Sequence, residues 1–440
     1  MIDITTKLHD KLSVEFKLGF STDGSATGED SLIGMWIFVP DSLDINPSTF
    51  TKADFYRHLK SNVRLITPRY SLEEITEGPL SNVLEAAGTE LEHQVKMYTA
   101  IAKSAVRDGA SSVISGDMPM DSYTSGVRSV LGSYDRMPSC EAVGLCREFL
   151  ISTAIHHSFK ILDAGVHASD AAGLIRETNR LRDRYGYKKV TGDGSYLYRQ
   201  GVLKKYVEHH LYLRAPRKKD GVLAEQAYYS VAAGLAMIFA TIVAWSFQRT
   251  FGNLTWPLFI ALIISYMMKD RIKELMRSWF AHRVGSRYFD KKAEIQYEGQ
   301  RIGTLKEAFD FIGREKVPGE VVRIRNDRRS YAQYSHDDYE KVMLYRMKVH
   351  MDSGKIQGST YAYNGVNDII RLQMSSFLRM MDNPVSLVET VLPDGTPSTV
   401  ECRKEYHMNI VLQCVHGGTV DWQHFRLRMT KDGIESIEKV

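Results

Sequence analysis

A long apolar stretch in the middle of the chain, VAAGLAMIFATIVAWSFQRTFGNLTWPLFIALIISYMM, constrains the fold more than any other feature. From Ala227 to Phe247 no residue carries a charge. A helix of about 21 residues reaches roughly 30 Å, which is the thickness of bilayer hydrocarbon. The uncharged run from Phe251 to Met268 is shorter and would reach about 27 Å as a helix. The sequence therefore predicts a transmembrane helical hairpin over residues 227–268, with a second helix that only just crosses.

The placement of lysine and arginine predicts the orientation of this hairpin. Both flanks are rich in these residues, whereas the turn contains only Arg249. By the positive-inside rule, both flanking regions and both termini are expected in the cytoplasm, as in an integral protein of a bacterial inner membrane, with the turn outside. Two alternatives remain open. The hairpin could be re-entrant and dip into the bilayer without crossing it, or it could be buried in a globular core.

Small residues recur along one stripe of the first helix. Alanine stands at every fourth position, at Ala232, Ala236, Ala240 and Ala244. Small side chains allow two helices in a membrane to approach closely. The stripe therefore predicts membrane packing against the second helix or against the same stripe of another copy, and we expect a homo-oligomer.

Patterning outside the hairpin predicts an α+β membrane protein. We expect an N-terminal strand and helix segment over residues 1–70, a cytoplasmic helical bundle over 71–220 and a cytoplasmic α+β domain with an antiparallel sheet over 269–440. Within the first segment, KLSVEFKLGF alternates as a half-buried strand does, LIGMWIFVP is typical of a central strand, and STFTKADFYRHLKSNVRLITP indicates a helix that begins at Ser48 or Thr51.

The C-terminal region carries the most specific structural prediction. AEIQYEGQRIGTLKEAFDFIG indicates a strand, a turn and a helix. Further on, a two-residue turn at Gly417-Gly418 would pair Ile410 with Phe425 and place apolar residues on one face of a β-hairpin. Cys402 and Cys414 fall on or near that face, which indicates small core residues.

The opposite face of this β-hairpin collects hydrogen-bond donors. These are His407, Asn409, His424, Arg426 and Arg428. Such a cluster is a candidate site for an anion, a protein partner or anionic lipid headgroups. A solvated sheet face is the simpler alternative.

No sequence motif names a reaction. The formal net charge of +4 is too small to indicate a nucleic-acid partner. Signatures of nucleotide-binding loops, kinases, serine hydrolases and zinc proteases do not occur. The four cysteines lack C-x-x-C spacing, and Glu90 and His93 form a single E-x-x-H pair where a di-iron bundle needs two. We therefore assign no catalytic residue, no metal ligand and no cofactor, and we favour a protein that is not an enzyme.

Three hypotheses for the function follow. The first is a membrane-anchored scaffold, sensor or adaptor with cytoplasmic domains. The second is an oligomeric pore-forming or membrane-disrupting effector. The third is a membrane-tethered enzyme of unknown chemistry, which a deep polar pocket with convergent carboxylates or histidines would favour.

Overall fold

The structure is a computed structural model of the 440-residue chain. It describes residues 2–21, 29–190, 192, 194–252, 255–285, 289–297, 299–326, 340–352, 354–355, 361, 363 and 365–440.

Helices and strands alternate in blocks along the chain. The strands are β1 (Ile2–Asp10), β2 (Ser13–Ser21), β3 (Glu29–Pro40), β4 (Leu59–Leu65), β5 (Arg217–Lys219), β6 (Lys291–Tyr297), β7 (Gln300–Ile312), β8 (Glu340–Met351), β9 (Gly365–Gln373), β10 (Val385–Val391), β11 (Pro397–Arg403), β12 (Tyr406–His416), β13 (Thr419–Thr430) and β14 (Gly433–Lys439). The helices are α1 (Lys52–His58), α2 (Gly78–Glu85), α3 (Thr89–Ser115), α4 (Met120–Gly132), α5 (Glu141–Asp163), α6 (Ala168–Arg184), α7 (Gly194–Glu208), α8 (Val222–Phe251), α9 (Trp256–Gly285), α10 (Gly319–Asn326) and α11 (Ser375–Arg379).

Two antiparallel sheets organise the body, which confirms the α+β class. The larger sheet has the order β14-β13-β12-β3-β8-β7-β6-β5, and the smaller has the order β1-β2-β9-β4. The predicted central strand is confirmed, because β3 lies between β12 and β8. Strands from residues 1–70 thus share both sheets with strands from 269–440. The domain boundaries within the chain stay a prediction.

The inner faces of the two sheets pack against each other. Phe16 of β2 meets Phe425 of β13 edge to face, with ring centroids 6.1 Å apart. Phe55 of α1 stacks on Phe309 of β7 at 3.9 Å. Helix α1 begins as predicted, because Thr51 forms a capping box with Asp54. It ends earlier than predicted, at His58, because the following residues pair with β9 as strand β4.

The helical region expected over residues 71–220 contains the helices α2, α3, α4, α5, α6 and α7. Tyr98, Tyr123 and Tyr134 are fully buried among them. Hydrogen bonds fix two of these rings: the hydroxyl of Tyr98 contacts that of Ser133 at 2.5 Å, and the hydroxyl of Tyr134 contacts that of Thr99 at 2.7 Å. The bundle therefore has a specific core in which the buried hydroxyl groups of Tyr98 and Tyr134 are paired.

Helices α8 and α9 form the apolar hairpin, but the second helix differs from the prediction. Phe251 is the last residue of α8, Gly252 caps this helix with a φ of 77°, and α9 begins at Trp256. The charge-free part of α9 is thereby limited to residues 256–268. Of the helices that the structure describes, one segment, Glu225–Phe251, is long and apolar enough to span a membrane.

The C-terminal β-hairpin confirms the predicted register. Ile410 lies opposite Phe425, and Gly417 and Gly418 form the turn with φ angles of 54° and 81°. Two other predictions are wrong. Residues 303–312 form part of β7 where a helix was expected, because β8 pairs with the whole segment and β6 pairs with its first half. Cys402 is exposed on β11, whereas Cys414 is buried.

Candidate functional site

A polar cavity of about 290 Å³ lies where the edge strand β4 of the small sheet approaches the edge strand β5 of the large sheet. We call it the base pocket, because strand β5 leads into α8 and strand β6 follows α9. Its walls come from α1, β4, β5, β6 and β7. The lining residues are Tyr56, Leu59, Lys60, Ser61, Asn62, Arg217, Lys291 and Glu307.

The innermost wall of the base pocket is an ion pair. Glu307 is 1% exposed and accepts two hydrogen bonds from Arg217, from Nε at 2.9 Å and from Nη2 at 3.2 Å. The hydroxyl of Tyr345 donates a third, at 2.9 Å. Burial and the neighbouring Glu307 raise the pKa of Tyr345 well above its ordinary value, so the phenol remains a donor. Three donors thus fix the carboxylate of Glu307.

A second carboxyl group lies behind the pocket. Asp368 on β9 is 1% exposed and accepts a hydrogen bond from the hydroxyl of Ser61, while its Oδ2 atom has no hydrogen-bond partner among the described residues. Burial raises the pKa of Asp368 to about 6, against the lowering effects of Ser61 and Arg217. A carboxyl group of this pKa changes charge close to neutral pH.

This pKa predicts a specific dependence of stability on pH. Because the folded-state pKa of Asp368 is above the ordinary 3.8, its contribution to stability is fully present at low pH. That contribution is lost as the pH rises from about 4 through about 6, and a pKa difference of about two between the unfolded and folded states corresponds to about 3 kcal/mol. Asp368→Asn stays neutral, so we expect the free energy of unfolding of the wild type to fall by about this amount relative to the variant between pH 4 and pH 7. Denaturant unfolding followed by tryptophan fluorescence measures both, and parallel pH profiles would contradict the assignment.

The outer wall carries a separate set of contacts. Tyr56 donates a hydrogen bond to Asp290 at 3.0 Å, and the backbone N–H of Phe309 donates to the same carboxylate at 2.7 Å. Lys52 bridges Asp290 and Asp310 at 3.0 and 2.7 Å. These contacts connect α1 to the start of β6, so they fix the pocket wall on the side where the chain returns from α9.

Two cations of the pocket differ from Arg217 in having no carboxylate partner. Lys60 and Lys291 form no ion pair within 4.0 Å in the part of the chain that the structure describes. The ammonium group of Lys291 lies over the ring of Tyr56, 3.9 Å from its centroid. Burial lowers the pKa of Lys291, and the nearby Arg217 also lowers it, against the raising effects of Glu307 and Asp290. The residues that line the base pocket thus include three cations and one carboxylate.

The donor cluster predicted on the C-terminal β-hairpin is brought together, but not as an open surface. His407 lies opposite Arg428 and Asn409 lies opposite Arg426, as the register requires. His424 and Asn409 are buried and hydrogen-bonded to each other at 3.1 Å. The remaining three residues are partly exposed. A second apolar cluster on this face, which includes Trp36, Phe38 and Val321 of α10, explains the burial. The binding role of the cluster stays a prediction.

The alanine stripe faces α9 of the same chain. Ala232 and Ala236 are fully buried there, and Ala240 and Ala244 are half-buried. Ser265 of α9 donates a hydrogen bond to the carbonyl of Ala240 at 3.3 Å. The close approach that small residues permit is thus used within one hairpin, and self-association through the stripe stays a prediction.

The base pocket was missed from the sequence because its lining residues are spread from Tyr56 to Glu307, with Asp368 behind them. A local signal does exist. In both LKEAFDF and VNDIIRL, alternation places one acidic residue, Glu307 or Asp368, in a row of inward apolar side chains. A buried carboxylate in such a row needs partners from other elements.

Within the described residues, no group of three or more histidine, cysteine or carboxylate side chains is arranged to hold a metal ion. No protein-family model, curated protein or solved structure gives a significant match to this chain. The base pocket therefore has to be interpreted from its own geometry.

Proposed function

We propose that this protein is a membrane-anchored sensor or adaptor, in which the α8–α9 hairpin holds the body at a bilayer and occupancy of the base pocket is transmitted to the hairpin. One observation carries the proposal. The pocket is lined by both connections to the hairpin, since Arg217 stands five residues before the start of α8 and Lys291 six residues after the end of α9. A ligand that contacts both would change the restraint on both helix ends.

The hairpin is suited to anchoring. One of its helices is long and apolar enough to span a membrane, and large apolar side chains near its tip are exposed, among them Trp245, Trp256 and Phe259. Exposed apolar surface of this extent needs a lipid or protein environment. Because the lysine and arginine residues flank the hairpin, we place both termini on the cytoplasmic side, as in a bacterial inner-membrane protein.

The ion pair at the pocket supplies a route for transmission. Arg217 is held by Glu307 of β7, and β5 pairs with β6, so the strands that enter and leave the hairpin are joined at one point. A displacement of Arg217 would therefore move the first turn of α8. Buried ion pairs keep their geometry because breaking one leaves an uncompensated charge.

A pocket-filling substitution tests the transmission without knowledge of the ligand. We expect Asn62→Trp to occupy the base pocket and to change hydrogen–deuterium exchange in residues 217–236 and 291–297 of the full chain in lipid nanodiscs. Ser386→Trp on the exposed strand β10 is the control, and it should leave those segments unchanged. If Asn62→Trp alters exchange only in its own strand, the hairpin is an anchor without a sensing role.

A second candidate, a membrane-tethered enzyme, is favoured by the contact between Ser61 and Asp368. The hydroxyl of Ser61 lines the pocket and donates a hydrogen bond to Asp368, whose pKa is about 6. A carboxyl group with such a pKa can act as a general acid or base toward a hydroxyl group. The pore hypothesis has no comparable support among the described residues, because the alanine stripe is used within the hairpin.

A further inference from the structure

We propose that the base pocket binds a small anion with the chemistry of a phosphate monoester. This inference rests on the sensing role proposed above and names the class of ligand. Three cationic side chains line the cavity against one carboxylate. That carboxylate, Glu307, is already saturated by Arg217 and Tyr345. An entering ligand therefore meets the two cations without a carboxylate partner, Lys60 and Lys291.

The hydrogen-bond donors of the wall also suit an anion. The side-chain amide of Asn62 and the ammonium groups of Lys60 and Lys291 are donors, and phosphate oxygens accept several such hydrogen bonds at once. The hydroxyl of Ser61 already donates to Asp368, so its free lone pairs can accept a hydrogen bond from a hydroxyl of the ligand. A free metal cation would be repelled by the same charges.

The size of the cavity limits the ligand. A volume of about 290 Å³ is at the lower end of the range for small-molecule sites, so it suits a phosphate on a short polar carbon chain better than a nucleotide. Leu59 contributes apolar surface at one side of the pocket, against which such a chain can lie.

The same chemistry occurs in free metabolites and in lipid headgroups, and the hairpin geometry favours the free form. The charged residues of α9 begin at Lys269, which is level with Ala236 of α8, as the contact between Ser265 and Ala240 requires. About 14 residues of α8 lie between that level and its first residue, and they extend roughly 20 Å. A hairpin that inserts only up to the first charges of α9 places the bilayer boundary at Lys269. The base pocket then lies well outside the bilayer.

The experiment is a calorimetric titration of the full chain in phosphatidylcholine nanodiscs with sn-glycerol 3-phosphate, with glycerol as the neutral control. We expect saturable binding of the phosphate ester and none of glycerol. Lys291→Gln and Lys60→Gln should each weaken binding by about 10-fold, because each removes a charge-assisted contact. Lys291→Arg should retain most of the affinity. Lys205→Gln, on the exposed face of α7, removes the same charge at a distance and should have no effect.

A second arm omits the free ester and uses nanodiscs that contain phosphatidic acid. It measures the protection of the segments around Lys60 and Lys291 from hydrogen–deuterium exchange. Binding in the first arm supports the proposal with a free ligand, and Lys291-dependent protection in the second arm alone supports the same chemistry on a lipid. Absence of a response in both arms, or binding that Lys291→Gln leaves unchanged, overturns it. The Asn62→Trp experiment uses no ligand, so its outcome judges the sensing role separately.

Discussion

Phe425→Ala is expected to lower the free energy of unfolding by about 3 to 5 kcal/mol. Phe425 is 2% exposed and joins the two sheets, because its ring packs against Phe16 of the small sheet at 6.1 Å. Ile410 flanks it on the neighbouring strand. Removal of the ring leaves a cavity that two sheets, fixed by backbone hydrogen bonds, can close only in part. Denaturant unfolding of the purified full chain gives the value.

Two substitutions on the same strand serve as controls. Val420 is 49% exposed, so Val420→Ala should change the free energy of unfolding by less than about 0.5 kcal/mol. Arg428 has a side chain that is 43% exposed and lies 3.5 Å from Glu435, so Arg428→Ala should cost at most about 1 kcal/mol. Comparable losses for Phe425→Ala and Val420→Ala would show that the register of β13 is wrong.

The β-hairpin that contains Phe425 was predictable because all of its determinants are local. Alternation fixes which residues share a face, and a glycine pair that tolerates positive φ fixes the turn. A shift of one residue would move Ile410 and Phe425 to the opposite face. The structure has the predicted pairing and positive φ angles at both glycines. What alternation could not show is that α10 and Trp36 cover the second face and bury His424.

Strand β7 shows where local information fails. Its sequence GTLKEAFDFIG contains good helix formers, and the acidic Glu307 interrupts the row of apolar residues that alternation would otherwise mark as a strand face. Strand β8 nevertheless pairs with residues 303–312, and strand β6 pairs with residues 300–307. Hydrogen bonding from distant segments outweighs a helix preference of a few tenths of a kcal/mol per residue. The base pocket, with Glu307 at its centre, was hidden for the same reason.

The length of the second apolar helix, α9, depended on a boundary that the sequence does not mark. Counting the apolar run from Phe251 assigns to α9 residues that complete α8 and form the turn. The remaining charge-free part, residues 256–268, extends about 20 Å as a helix. This is roughly two thirds of the hydrocarbon thickness. The packing of the hairpin then determines where the charges of α9 lie relative to α8.

Two contacts between the helices fix the position of α9 along α8. Ser265 meets Ala240 at 3.3 Å, and the guanidinium of Arg277 lies over the ring of Tyr229, 4.4 Å from its centroid. Lys269 is therefore level with Ala236, which is close to the middle of the charge-free part of α8. If α8 crosses the bilayer, the charged run that follows Met268 lies near the midplane.

The energies of the two arrangements differ clearly. Full crossing would place Lys269, Asp270 and Arg271 near the midplane, at about 2.5 to 3.5 kcal/mol for each charge on insertion scales. Shallow insertion up to the level of Lys269 places only one charged residue, Arg249, in the membrane interior. We therefore favour the re-entrant arrangement over a hairpin whose turn is outside.

Cysteine labelling distinguishes these arrangements. In a chain whose four native cysteines are replaced by alanine, we expect Thr250→Cys to be almost unlabelled by an impermeant maleimide in intact cells and in inverted vesicles, and to be labelled fully after detergent solubilisation. Ser386→Cys on the exposed strand β10 should be labelled in inverted vesicles but not in intact cells. Labelling of Thr250→Cys from outside intact cells would establish a crossing hairpin. In that case the charges after Met268 would have to be shielded by other copies of the chain, which is the arrangement that a pore requires.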